Sequence, residues 1–180
     1  MDTMQSTHLY RSPLGTITLA ADSEGLTGLW FEGQKYFAAT LDAQHEETML
    51  PIFEQTRRWL DNYFGGNDPG PTPPLHLQGS PFRLAVWEIL RQIPFGKTIT
   101  YGEIAREIAR RQGSKTVPAQ AVGGAVGHNP VSIIVPCHRV VGSNGSLTGY
   151  AGGIERKVRL LALEKADMTG LFAPQKGTAL

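Results

Sequence analysis

The sequence predicts two parts: an α/β N-terminal domain, made of a small antiparallel sheet plus a helix, and a mainly α C-terminal domain holding a helix-turn-helix-like pair. Three observations predict it. Strand-like runs separated by turn residues fill positions 8–31, and an apolar stripe at helical spacing follows at 48–64. A Gly/Pro-rich stretch, residues 65–79, then interrupts both patterns. Beyond it, two short helical patterns meet at a broken junction between about residues 100 and 129.

In order, His8-Leu9-Tyr10 and Thr16-Ile17-Thr18-Leu19-Ala20 flank the turn Ser12-Pro13-Leu14-Gly15. A second turn, Asp22-Ser23-Glu24-Gly25, leads into Leu26–Phe31. These read as an antiparallel meander. From Thr48 to Phe64, Met49, Ile52, Phe53, Thr56, Leu60 and Tyr63 form a helical stripe closed by Gly65-Gly66. Trp30 and Trp59 read as core aromatics. The prolines at 69, 71, 73 and 74 make the next segment an extended connection, which puts the domains at 1–79 and 80–180. Ser80-Pro81 supplies an N-cap and a proline at the first helical position, for a helix lasting to Ile93. Thr100 and Glu103 stand three apart, as a capping box requires, and Gln112-Gly113-Ser114-Lys115 ends that helix. A further helix is expected from Thr116, with Pro118 in its first turn, to Asn129-Pro130. Its glycines, each about 1 kcal/mol worse than alanine, imply close approach of another backbone, either the protein's own or a nucleic-acid wall. The last helix is expected over Ile154–Ala166, with Ile154, Val158, Leu161 and Ala162 inward. After Asp167 the tail reads as uninformative and frayed.

Charge is distributed unevenly. Residues 1–80 hold 4 Lys/Arg against 10 Asp/Glu, net −6, and residues 81–165 hold 12 against 5, net +7. A basic half points to a polyanion or simply to a solvated face. One cysteine excludes an internal disulfide and a multi-cysteine zinc site, and suits a reducing compartment. Neither a signal peptide nor a membrane span is read, so the expected location is cytoplasmic, or nuclear in a nucleated cell.

That cysteine lies in Ile134-Val135-Pro136-Cys137-His138-Arg139-Val140-Val141. Pro136 has no N–H for a ladder, which puts the thiol at a strand end or bend. His138 and Arg139 both favour a thiolate, although a lone cysteine can equally be a small buried hydrophobe. In a regular strand, Cys137 and His138 would face opposite ways, so their cooperation needs a bend and a bridging water. The stretch Gly142–Gly153 reads as a pocket wall that admits a flat ligand, or as a plain turn at Asn144-Gly145.

Pro136-Cys137-His138-Arg139-Val140 resembles the active-site signature of the O6-alkylguanine-DNA alkyltransferases, or methylated-DNA–protein-cysteine methyltransferases. Pro81-Phe82, Val86-Trp87, Ile93-Pro94-Phe95-Gly96, Thr100-Tyr101-Gly102, Ala121-Val122-Gly123, Asn129-Pro130, Gly142, Gly145 and Gly149-Tyr150-Ala151-Gly152-Gly153 continue the resemblance over residues 80–165 in family order. It implies a winged helix-turn-helix-like DNA-binding element and irreversible transfer of an alkyl group from O6 of a flipped guanine, or O4 of thymine, to Cys137, once per molecule. Glu164 would orient His138, which takes the thiol proton through a water, and Asn129 would tie the helix pair to the active-site strand. Tyr101, Val126, Ser132, Val135, Val140, Tyr150 and Ala151 would line the base pocket. Thr100, Ala119, Gln120, Ala121, Gly123, Arg111 and Lys115 would meet DNA. Arg139 would serve an ion pair.

The implied partner is double-stranded DNA containing O6-alkylguanine, bound by a monomer with no obligate protein partner, no cofactor and no metal. One departure stands out: Gln120 occupies the place of the family's intercalating arginine, and the junction Arg110–Pro118 is longer. Weaker base flipping is expected, offset by Arg111 or Lys115. Two other readings compete: a lesion-binding protein without transfer, and a thiol hydrolase using Cys137 and His138.

Overall fold

The computed structural model describes residues 4–174. The chain forms two compact units, the first running to Gln78 and taking in Pro130–Ile134, the second comprising Gly79–Asn129 and Val135 onward.

In the first unit, β1 (Gln5–Ser12), β2 (Gly15–Ala21) and β3 (Leu26–Phe31) form the expected antiparallel meander. A fourth strand, β4 (His45–Glu47), lies parallel to β1, so the sheet is mixed, in the order β3-β2-β1-β4. Three exposed polar residues carry no periodic signal, which is why the sequence reading stopped at an antiparallel sheet. Register sets Tyr10, Ile17 and Phe31 on one face, and α1 (Pro51–Phe64) covers it with Phe53, Leu60 and Tyr63. The helix begins at Pro51 rather than Thr48, because the proline suits the first helical position and Leu50 before it is extended. Trp30 is buried and lies over Gly28, where an added Cβ would come within 2.0 Å of the indole. Trp59 is instead stacked on Tyr63 at 5.7 Å, with its Nε1 donating to Gly70 O, so it is not core.

The Pro-rich connection is tied to the meander. Leu75 pairs with Leu26, and His76 is clasped between Asp22 (2.5 Å) and Glu24 (2.8 Å). These three side chains bring metal-ligand atoms within 4.8 Å of one another, a cluster that spacing along the chain did not reveal. Pro130–Ile134 belongs to this unit because Leu29 donates to Pro130 O (2.8 Å) and Ser132 donates to Leu29 O (3.0 Å). Ile133 there has φ +68°, a left-handed conformation rare for a β-branched residue. The run before Cys137 is therefore a sequence of turns and not the strand its β-branched composition suggested.

The second unit is mainly helical, with a two-stranded parallel pair, β5 (Ile99–Thr100) and β6 (Val140–Val141). Helix α2 spans Pro81–Arg91; Ser80 caps it by accepting from Arg83 N, as expected. The capping box of α3 (Tyr101–Gln112) is complete in both directions, and Gly113 closes the helix at φ +66°. The next helix, α4, spans only Ala119–Gly127. It starts three residues later than read because Pro118 is the extended N-cap and Val117, preceding a proline, is disfavoured in helical geometry. The Trp87 indole donates to Ala125 O at 2.8 Å and fixes α2 on α4.

Helix α5 (Ile154–Leu163) is also shorter than expected, with Glu164 as its C-cap and Lys165 at φ +56°. Its buried residues are Lys157, Leu160 and Leu161, whereas Ala162 is exposed, which corrects the inward face. The tail is not frayed as far as Phe172. Leu171 and Met168 pack on a cluster of Val141, Leu147, Leu161 and Ala166, and Phe172 pairs with the 145–147 loop. Among the described residues, no helix is long and apolar enough to cross a membrane.

Candidate active site

Pro136 ends the turns, and Cys137–Arg139 forms a single 3-10 turn that enters β6. This is the bend the motif required, and it lets three consecutive side chains serve one site. Cys137, His138 and Arg139 are all buried. Burial pushes the Cys137 thiol up, opposed by a hydrogen bond from Asn129, the charge of Lys157 and the backbone N–H groups of Cys137 and His138. The Asn129 Nδ2 also donates to Val135 O at 2.8 Å, holding the chain just before the thiol.

The carboxylate of Glu164 anchors the other side. It accepts from His138 Nε2 (2.5 Å), Arg139 Nε (2.8 Å) and Gly96 N (3.0 Å). Burial would raise its pKa, but His138 and Arg139 together outweigh that and hold the group well below the ordinary carboxylate range. Ionised Glu164 only accepts, so His138 carries its proton on Nε2 and presents a lone pair at Nδ1. Burial lowers the His138 pKa against the pull of Glu164, which keeps the ring a neutral base. Arg139 completes the set by donating to Ile93 O (2.7 Å) and lying over the Phe95 ring. The Ile93–Gly96 segment is thus the receptor for the Glu164–Arg139 pair, and Arg139 has the ion-pair role expected.

Sequence reading missed Lys157. It is fully buried, with Nζ donating to Val140 O (2.5 Å) and Thr148 O (3.3 Å). Burial pulls its pKa down to about 8, partly offset by attraction to Cys137. A signal was present, since Lys157 falls at helical spacing between Ile154 and Leu161, inside the apolar stripe. The Tyr101 hydroxyl donates to the same Thr148 carbonyl (3.2 Å), and burial with the nearby Cys137 charge keeps it protonated far above its usual range.

The other expected residues divide by environment. Tyr150 is buried, with its ring edge-on to His138 at 6.4 Å, and Ala151 is half-buried beside it. Val126 and Val135 are buried, in the α4 core and immediately before Pro136. Val140 is constrained: its N–H donates to Cys137 O and its carbonyl accepts from Lys157, so a base contact there must use the carbonyl's second lone pair. Ser132 groups with the first unit and directs its hydroxyl at Gln34 Oε1 (3.5 Å).

On α4, Ala119, Gln120 and Ala121 are exposed and Gly123 is half-buried. A Cβ added at Gly123, Gly124 or Gly127 would meet nothing within 4 Å. The glycines therefore do not serve internal packing; they leave a shallow outer face that another surface can approach. The Thr100 hydroxyl accepts from Glu103 N and is engaged in the cap. Arg111 pairs with Glu107 (3.0 Å) and lies 3.8 Å from Glu88, both at the surface. Lys115 is exposed in the junction after α3.

Residues 81–166 match the family described as 6-O-methylguanine DNA methyltransferase, DNA binding domain, and residues 6–75 match 6-O-methylguanine DNA methyltransferase, ribonuclease-like domain. A methylated-DNA–protein-cysteine methyltransferase of Haemophilus influenzae is 42% identical over 157 residues, covering 87% of this chain and 84% of the relative. One from Methanosarcina acetivorans is 42% identical, covering 87% and 96%. The crystal structure of Mycobacterium tuberculosis OGT in complex with DNA superposes with a TM-score of 0.76 at 41% identity, covering 89% of this chain and 92% of that one.

Proposed function

This chain belongs to the 6-O-methylguanine DNA methyltransferase family, and from that premise we propose that Cys137 is the alkyl acceptor in repair of O6-alkylguanine in double-stranded DNA. The protein is a DNA repair enzyme that transfers a methyl group from methylated DNA to a cysteine of its own. It has one cysteine, so the acceptor follows by elimination. The observation that carries the reading is the environment of that thiol: His138 backed by Glu164, Asn129 beside the sulfur, and Lys157 supplying positive charge.

In this reading, a flipped guanine presents its O6-alkyl carbon to the Cys137 sulfur. The thiol proton passes to His138 Nδ1 through a water, with Glu164 stabilising the imidazolium that forms. The S–C bond forms as the C–O6 bond breaks, guanine leaves with the electron pair and takes back the proton, and the Cys137 thioether has no return path. Tyr101 guides the rotated nucleotide, while Val126, Val135, Tyr150 and Ala151 shape the pocket. The exposed face of α4, with Ala119, Gln120, Ala121 and Gly123, approaches the DNA. A cytoplasmic monomer needing no cofactor suits this chemistry.

The test is stoichiometric: a duplex carrying O6-methylguanine loses one lesion per protein molecule and no more, and Cys137→Ala removes none. Persistence of the lesion under bound wild-type protein would favour the lesion-binding alternative. Gln120→Arg is expected to quicken repair about fivefold, the equivalent of the ~1 kcal/mol that a charge-assisted contact adds over a neutral one. Single-turnover rates of the two proteins check it, and equal rates would show that Gln120 fills the vacated base position adequately.

A further inference from the structure

We infer that the segment Met168–Phe172 is a strap that sets the active-site wall: by pairing with Gly145–Leu147 it fixes the Thr148 carbonyl, and with it the Tyr101 and Lys157 side chains beside Cys137. The pairing is reciprocal. Leu147 N donates to Phe172 O (2.9 Å) and Phe172 N donates to Gly145 O (3.0 Å). Gly145 is required at this crossing, since its φ is +91° and an added Cβ would lie 2.0 Å from Gly170 O. Leu171 and Met168 anchor the strap on Val141, Leu147, Leu161 and Ala166.

One residue beyond the pairing, Thr148 O accepts both the Tyr101 hydroxyl (3.2 Å) and Lys157 Nζ (3.3 Å). The loop holds that carbonyl from its own side as well: Ser146 N donates to Asn144 Oδ1 (3.1 Å), and Ser146 Oγ is 3.2 Å from Thr148 Oγ1. The strap therefore reaches the thiol through Thr148 and does not touch it, and its residues are positioning residues. Both groups it places are charged or polar neighbours of a buried sulfur, so a displaced wall changes how readily the thiol ionises as well as how the base is seated.

The inference rests on the alkyl-transfer reading for its biological meaning, but it is tested on the thiol itself. Phe172→Pro removes the N–H that reaches Gly145 O; Phe172→Leu keeps it. The full-length variants are labelled at Cys137 with iodoacetamide across pH 6–10, alongside single-turnover repair of an O6-methylguanine duplex and DNA binding. Phe172→Pro is expected to label about three- to tenfold more slowly at neutral pH, with the labelling midpoint moved upward by about half to one pH unit, and to repair more slowly with DNA affinity unchanged. Phe172→Leu should match the wild type. An unmoved midpoint in folded Phe172→Pro overturns the inference, even if repair slows, because loss of stability alone lowers the active fraction without moving the midpoint. Should Phe172→Pro not fold, Leu171→Ala, which thins only the strap's apolar anchor, is judged by the same midpoint. Wild-type protein that labels normally yet leaves the DNA lesion intact counts against the function and not against the strap.

Discussion

Glu164→Gln is expected to slow methyl transfer by about 10²–10⁴-fold, the usual contribution of a positioned acid or base. One carboxylate receives His138, Arg139 and Gly96, and glutamine can accept from only one side while its amide turns a donor toward another. Arg139 would remain buried without its anion, so the same change should destabilise the fold by about 3–5 kcal/mol. The sign with pH follows from the depressed Glu164 pKa. The stability this group contributes is fully present above its unfolded value of about 4.3 and is lost as pH falls through its lower folded value. Urea denaturation from pH 7 to pH 3 should therefore show a shallower acid loss in Glu164→Gln than in the wild type. Equal slopes would mean that folding leaves the Glu164 pKa unchanged, so that the buried cluster does not favour its ionised form.

Lys157→Met separates the activation of the thiol from the stability of the fold. Removing the cation beside a buried sulfur should move the alkaline rise of the transfer rate up by about one pH unit, close to a tenfold loss at neutral pH. Stability should move the other way. With its folded pKa near 8, Lys157 loses its proton in the native state while the unfolded chain keeps one until about 10.4. The unfolded state then binds more protons, and stability gains from this group as pH rises from about 8 to 10.4. Cys137, whose pKa burial raises, contributes the opposite slope, so the comparison belongs in a Cys137→Ala background. There, Lys157→Met should be more stable at pH 7 than its parent and should lack the alkaline gain. A destabilised variant with an unchanged rate profile would reduce Lys157 to a packing residue.

Elements with local signals were legible in the sequence. Ser80-Pro81 and the Thr100–Glu103 box each close their hydrogen bonds within four residues, and both appear as read. What was not legible depends on partners distant in sequence. Strand β4 exists because Gln5–Thr7 offers it an edge 40 residues away, and nothing in His45-Glu46-Glu47 announces that. The tail docks because Gly145–Leu147 accepts it. The apolar pattern puts Pro118 inside the helix, but the restriction that proline places on Val117 delays the start to Ala119. At the site, Cys137 and His138 stand out by residue type alone, whereas Asn129 and Glu164 rest on the resemblance; Glu164 accepts from His138, and Asn129 donates to Val135 O. Lys157 escapes a sequence reading because charged residues are rarely buried in an apolar stripe; its acceptors, two backbone carbonyls, leave no trace in a sequence.

The destination of the alkyl group is the decisive point. Wild-type protein mixed with an equimolar duplex carrying one O6-methylguanine should yield a Cys137-containing peptide heavier by one methyl group, with guanine restored in the DNA. An unmodified Cys137 peptide after full incubation with the bound duplex, or a methyl group found on any other residue, would contradict the assignment of Cys137 as acceptor.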